Sequence, residues 1–181
     1  MTRSKSNPQL VMRPQDLVVL LRLALEMDAA PSYAALAAEL GMTASEVHAA
    51  VERSVSAQMV QKDRNGKPRV NRSALRNFIL HGARYSFPAV RSSMTRGVPT
   101  GYAAEPLKQS IRSGDDPVPV WPYKNGAVRG MGLHPLYPSV PEAAGRNPKL
   151  YELLALFDAV RDGSARERSL ASAALEQRLS G

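Results

Sequence analysis

Apolar residues recur at helical spacing through the first 80 positions and again after position 148, and the periodicity is lost between. Residues 17–27 are apolar on nearly every face, which predicts a largely buried first helix. Pro14 suits its first turn, Asp16 lies near the positive end of its dipole, and Asp28-Ala-Ala-Pro31 ends it. Ser32 is placed to cap a second helix over 33–40, with Leu36 and Leu40 inward and Gly41 as its left-handed stop. Thr43 and Glu46 form a T-x-x-E capping box that opens a third helix. Val47, Val51 and Val55 repeat there at i, i+4, i+8 and mark its buried face.

Residues 58–62 read as a short strand, Asn65-Gly66 as a hairpin turn, and 67–70 as the returning strand, with Pro68 acceptable on an edge. Asn71 then caps a helix carrying Leu75, Phe78 and Ile79. Ten of the fourteen prolines lie between Pro88 and Pro148, so this stretch is expected to be extended and irregular, with a few strands such as 126–133. Its Trp121, Tyr123 and Tyr137 imply that it packs rather than stays disordered, with Trp121 as an anchor. Beyond Pro148, Leu150, Leu153, Leu154, Phe157 and Val160 form one amphipathic stripe, and Leu170, Ala174, Leu175 and Leu179 form another after Gly163-Ser164. The expected organisation is a flexible tail over 1–12, a helical domain with a hairpin over 13–81, a Pro-rich segment over 82–148 and a helical segment over 149–181. The fold class is mainly α with a small β-wing.

Charge sharpens this picture. Between Lys62 and Arg96 there are nine basic residues and one acid, Asp63, which accounts for the whole net charge of +8. Residues 101–181 are nearly neutral. A basic excess concentrated in one stretch is an electrostatic footprint for a polyanion. The absence of cysteine removes disulfides, thiol catalysis and cysteine-based zinc sites. His48, His81 and His134 share no ligand spacing, and no catalytic triad order, phosphate-cradling glycine loop or paired-carboxylate motif occurs. Neither enzyme activity nor a cofactor or metal is expected. No apolar run reaches membrane-spanning length and no secretory signal is seen, so a cytoplasmic protein is expected, nucleoid-associated where the polyanion is DNA. Gly130-Met-Gly132 implies a turn or a strand with close backbone approach.

The stretch from Ser32 to Arg53 carries Leu36-Ala37 and Leu40-Gly41 in the first helix and turn, then Thr43, Ser45 and Val47 opening the second. With Ala57-Gln-Met-Val60 and the Asn65-Gly66 hairpin behind it, it resembles the winged helix-turn-helix of MarR-like transcriptional regulators over about residues 14–80. The resemblance implies that Thr43, Ala44, Ser45, His48, Ala49 and Arg53 lie on the exposed side of a recognition helix. That helix would dock in the major groove, where base edges are distinguishable. Lys62, Arg64, Lys67 and Arg69 of the wing, with Arg72 and Arg76 beyond it, would reach the phosphates. The helix departs from the pattern in having few long donors, only His48 and Arg53, with Glu46 and Glu52 against them.

Double-stranded DNA is therefore the expected partner, and a homodimer built on the carboxy-terminal stripes would match a palindromic operator. A second reading is an interaction protein, for example an antitoxin whose Pro-rich half wraps a toxin. A third is RNA binding through the same basic stretch. Arg84, Arg91 and Arg96, with Tyr85 and Phe87, fit either an arm on a nucleic-acid backbone or a surface loop whose aromatics pack on the helical domain.

Overall fold

The computed structural model describes residues 9–27, 30–111 and 114–180. Most of the expected tail and part of the Asp28-to-Pro31 breaker lie outside these residues. Within them the first helices start and stop where short-range chemistry dictates. Helix α1 (Pro14–Leu23) has proline in its first turn, and the Arg13 N–H donates to the Asp16 carboxylate at 2.8 Å. Helix α2 (Tyr33–Leu40) is capped by Ser32, whose hydroxyl accepts from the Ala35 N–H. It ends at Gly41, in the left-handed region at φ 64°. A Cβ at Gly41 would also stand 2.9 Å from Ser139 Cβ, so both backbone and space call for glycine. Helix α3 (Ala44–Ser56) opens with the reciprocal Thr43–Glu46 box.

Strands β1 (Val60–Lys62) and β2 (Pro68–Val70) pair antiparallel as a hairpin, with Lys62 opposite Pro68. Asn71 caps α4 (Arg72–His81), accepting from the Ala74 N–H. A short α5 (Ala83–Ser86) follows. Two expectations need adjusting. Helix α1 stops at Leu23 rather than Met27, because Arg72 donates to the carbonyls of Ala24 and Glu26 at 2.6 and 3.3 Å and terminates the turn. The buried face of α3 is Val47, Ala50, Val51 and Ser54, and Val55 is only half-buried. Ser54 returns its hydroxyl to the Ala50 carbonyl at 2.7 Å, which lets a polar group occupy the core side of the helix.

The Pro-rich stretch is more regular than its composition suggests. Strands β3 (Arg91–Pro99), β4 (Pro119–Pro122) and β5 (Val128–Leu133) form a small closed barrel in which each strand pairs with the other two. The β3–β4 and β3–β5 pairs are antiparallel and the β4–β5 pair is parallel. Closing so few strands brings backbones together. A Cβ at Gly130 would lie 2.1 Å from the Val118 carbonyl oxygen, so a side chain there would force the strands apart. Helix α6 (Val140–Arg146) also lies in this stretch, where irregular chain was expected.

Helices α7 (Pro148–Asp162) and α8 (Ala165–Leu179) complete the fold, which is mainly α with a small β part. Leu150, Leu154, Phe157, Val160, Leu175 and Leu179 are all at most 2% exposed and belong to one core with α1, α3 and α4. The stripe assigned to a dimer interface is therefore interior. The reason is that α1, apolar on nearly every face, needs α7 to cover the side that α3 does not. Asp158 of α7 ties the barrel to this core. Its buried carboxylate accepts from Thr100 Oγ1 at 2.7 Å, Trp121 Nε1 at 2.5 Å and Arg161 Nε at 2.7 Å. No helix among the described residues is long and apolar enough to cross a membrane.

Candidate nucleic-acid interface

The first turn of α3 is held from both sides of the chain. The Glu46 carboxylate accepts from the Thr43 N–H at 2.7 Å, the Thr43 hydroxyl at 2.9 Å and the Tyr137 hydroxyl at 2.7 Å. These donors, the Thr43 N–H foremost, hold Glu46 below the usual carboxylate range. Glu46 is thus taken up by the capping box, as its spacing from Thr43 implies, and the carboxylate keeps its negative charge. One turn upstream, Ser139 donates to the Leu40 carbonyl at 2.5 Å, and Arg146 donates to those of Ala38 and Glu39. The loop before α6 and Arg146 at the end of α6 thus clasp the α2–α3 turn and satisfy the last carbonyls of α2.

Thr43, Ala44, Ser45 and His48 are exposed on α3, and Ala49 is half-buried. They form a mostly small-residue surface in which His48 is the one long side chain, its ring edge-on to Tyr33 at 5.5 Å between centroids. Arg53 does not join them. Its guanidinium turns inward and donates to both oxygens of Asp16, at 2.7 and 2.6 Å, and its side chain is 14% exposed. Asp16 has no exposed surface, and a buried carboxylate without a cationic partner is costly. The pairing raises the Arg53 pKa further and removes the residue from the exposed face.

The hairpin is braced in the same way. Lys62 pairs with Glu52 of α3, and that contact lowers the Glu52 pKa and raises that of Lys62. His48 Nε2 lies 3.7 Å from the same carboxylate. Asp63 accepts from the backbone N–H groups of Lys67 and Asn65, which depress its pKa and fix the turn, and Arg69 lies 3.8 Å from it. At the tip, Arg64 and Lys67 are exposed and form no ion pair among the described residues.

The rest of the basic stretch is dispersed. Arg72 caps α1 as described, and Arg76 donates to Ser180 Oγ at 3.2 Å, so neither extends the hairpin surface. Arg91 binds Asp162 of α7 at 2.9 Å. Arg84 stacks over Tyr85 at 5.1 Å, while Phe87 is buried edge-on to Phe78. No grouping of His, Asp and Glu among the described residues could hold a metal ion. A cleft of about 560 Å³ lies apart from α3 and the hairpin, between the barrel and the α7–α8 junction, lined in part by Arg91, Tyr102, Leu133 and Asp162. The chain matches no protein family, no curated protein and no solved structure.

Proposed function

We propose that this chain is a DNA-binding transcriptional regulator of the winged helix-turn-helix type. The observation that carries the reading is the pairing of a capped, exposed first turn on α3 with a neighbouring hairpin at whose tip the side chains of Arg64 and Lys67 form no ion pair among the described residues. In this reading Thr43, Ala44, Ser45, His48 and Ala49 meet the major groove, where small side chains read thymine methyls and groove shape. Arg64 and Lys67 contact phosphate directly. Lys62 and Arg69 exchange their bonds to Glu52 and Asp63 for phosphate oxygens as the duplex approaches, which lowers the net electrostatic gain per contact.

The test is a salt-titrated gel shift with the DNA upstream of the chain's own coding region, against random duplex as competitor. The expected result is retardation that weakens steeply with salt and a preference for the upstream sequence. Absence of retardation at low salt would remove the reading. The small-residue surface of α3 also favours a second reading, contact with a partner protein such as a toxin. That reading takes over if duplex is not bound and a partner co-purifies through α3.

A further inference from the structure

The register of the barrel sets Arg96 of β3 directly opposite Arg129 of β5. Residues directly opposite in an antiparallel pair share a face, and like charges there repel. Both arginines are exposed, and neither guanidinium has a hydrogen-bond or ion-pair partner among the described residues. This contrasts with Arg22, Arg53, Arg91, Arg146, Arg161 and Arg178, each bound to a carboxylate. The Tyr123 N–H donates to the Arg96 carbonyl, which brings the β4–β5 turn and its exposed Lys124 beside the pair.

No acid relieves this cluster from within the barrel. Residues 84–104 and 117–141 contain no Asp or Glu, so all three strands and the β4–β5 turn are free of negative side chains. The acid across the adjoining groove, which Val98, Tyr123 and Glu142 line, is already bound to Arg146 at 2.6 Å. That groove runs along α6, and α6 is fastened to the end of α2 through Arg146. Helix α6 therefore stands between the groove beside this face and the helices that precede the hairpin.

We infer that the barrel face bearing Arg96, Arg129 and Lys124 is a second phosphate-binding surface, for the backbone of duplex DNA continuing beyond the stretch met by α3 and the hairpin. The inference rests on the DNA-binding reading. Two guanidiniums side by side match the geometry of a shared phosphodiester, which accepts from both and cancels their repulsion. Such contacts position the protein without reading sequence.

The experiment compares the full chain, Arg96→Ala/Arg129→Ala, Arg129→Glu and Arg64→Ala/Lys67→Ala. Each is titrated with a fluorescent duplex of about three helical turns over a range of salt. The double barrel variant is expected to bind on the order of tenfold more weakly, on specific and random duplex alike, with a salt slope shallower by about two. Arg129→Glu places a cross-strand ion pair with Arg96, so it should melt no lower than the parent chain while losing the same affinity. Barrel variants that bind as the parent does, while the hairpin variant weakens, would overturn the second surface and leave the regulator reading intact. Loss in the barrel variants alone would support the second surface and remove the hairpin from the interface. Parent chain that binds no duplex removes both.

Discussion

Arg53 of α3 and Asp16 of α1, 37 positions apart in sequence, form a bidentate pair at 2.7 and 2.6 Å. The Asp16 carboxylate also accepts the Arg13 N–H, so one buried group caps the first helix and fixes the third against it. An arginine that the resemblance places on a recognition helix thus ties two core helices together.

Arg53→Ala should therefore act on stability before it acts on binding. It leaves a fully buried carboxylate unpaired, a change that costs about 3–5 kcal/mol. Urea denaturation measures it, and Arg53→Lys, which keeps charge but not the two-pronged geometry, should fall between. A variant that unfolds with the parent chain while losing only DNA affinity would return Arg53 to the interface.

Glu52→Gln should tighten DNA binding. It releases Lys62 from its ion pair and removes the negative charge 3.7 Å from His48. The expected change is higher affinity on any duplex and a salt slope steeper by about one. Unchanged affinity would mean that Lys62 does not reach phosphate.

Ser45→Glu and Val51→Glu separate function from folding. Ser45 is exposed in the first turn of α3, where an acid favours the helix dipole, so the variant should melt at or above the parent temperature and yet lose duplex binding. Val51 has no exposed surface, and an unpaired charge there should unfold the chain. Melting curves beside gel shifts give both answers. Normal binding by Ser45→Glu would take α3 out of the groove.

Acid should loosen the first turn of α3. Glu46 is held below the ordinary glutamate value, about 4.3, by the Thr43 N–H, the Tyr137 hydroxyl and the Thr43 hydroxyl. A depressed carboxylate contributes stability that is present above that ordinary value and is lost as pH falls through the lower, folded one. Tyr137→Phe removes one donor and should move the Glu46 midpoint upward, read from its side-chain carbon in an NMR titration. Identical midpoints in the two proteins would show that the Tyr137 bond is not made in solution.

Removal of α8 by truncation at Gly163 should unfold the chain rather than dissociate it. Leu175 and Leu179 fill the core shared with α4 and α7, and deleting one such leucine, Leu175→Ala, should alone cost about 2–5 kcal/mol. Circular dichroism with light scattering distinguishes the outcomes. A folded truncated chain of lower oligomeric state would restore the interface first assigned to this stripe.

What the sequence made legible was local. Pro14, Ser32, Gly41, the Thr43–Glu46 box, Asn65-Gly66, Asn71 and the Gly163-Ser164 break each act within about one turn of chain, and each stands at an element end. The strand expected over 126–133 is present as β5. The pairing that makes it part of a barrel was hidden, because it joins segments separated by tens of residues and because prolines in β4 argue against a strand. Side-chain fates were hidden for the same reason. The partners of Arg53 and Arg72 lie 37 and 48 positions away, so periodicity could mark a face but not reveal that the arginine folds beneath it. Arg129 carries no signal in the sequence, because its neighbour, Arg96, is adjacent only through strand register.

The bonds from Tyr137 to Glu46 and from Ser139 to Leu40 span 91 and 99 positions, so the turn between α2 and α3 is shaped partly by chain far downstream. Thermodynamic linkage follows. In the proposed function, a molecule that bound the clasped arrangement of that loop more tightly than a released one would change the affinity of α3 for DNA by some factor, and DNA would change the affinity for that molecule by the same factor. On the same reading the loop before α6, and not α3 alone, sets how the first turn of α3 is presented to its target.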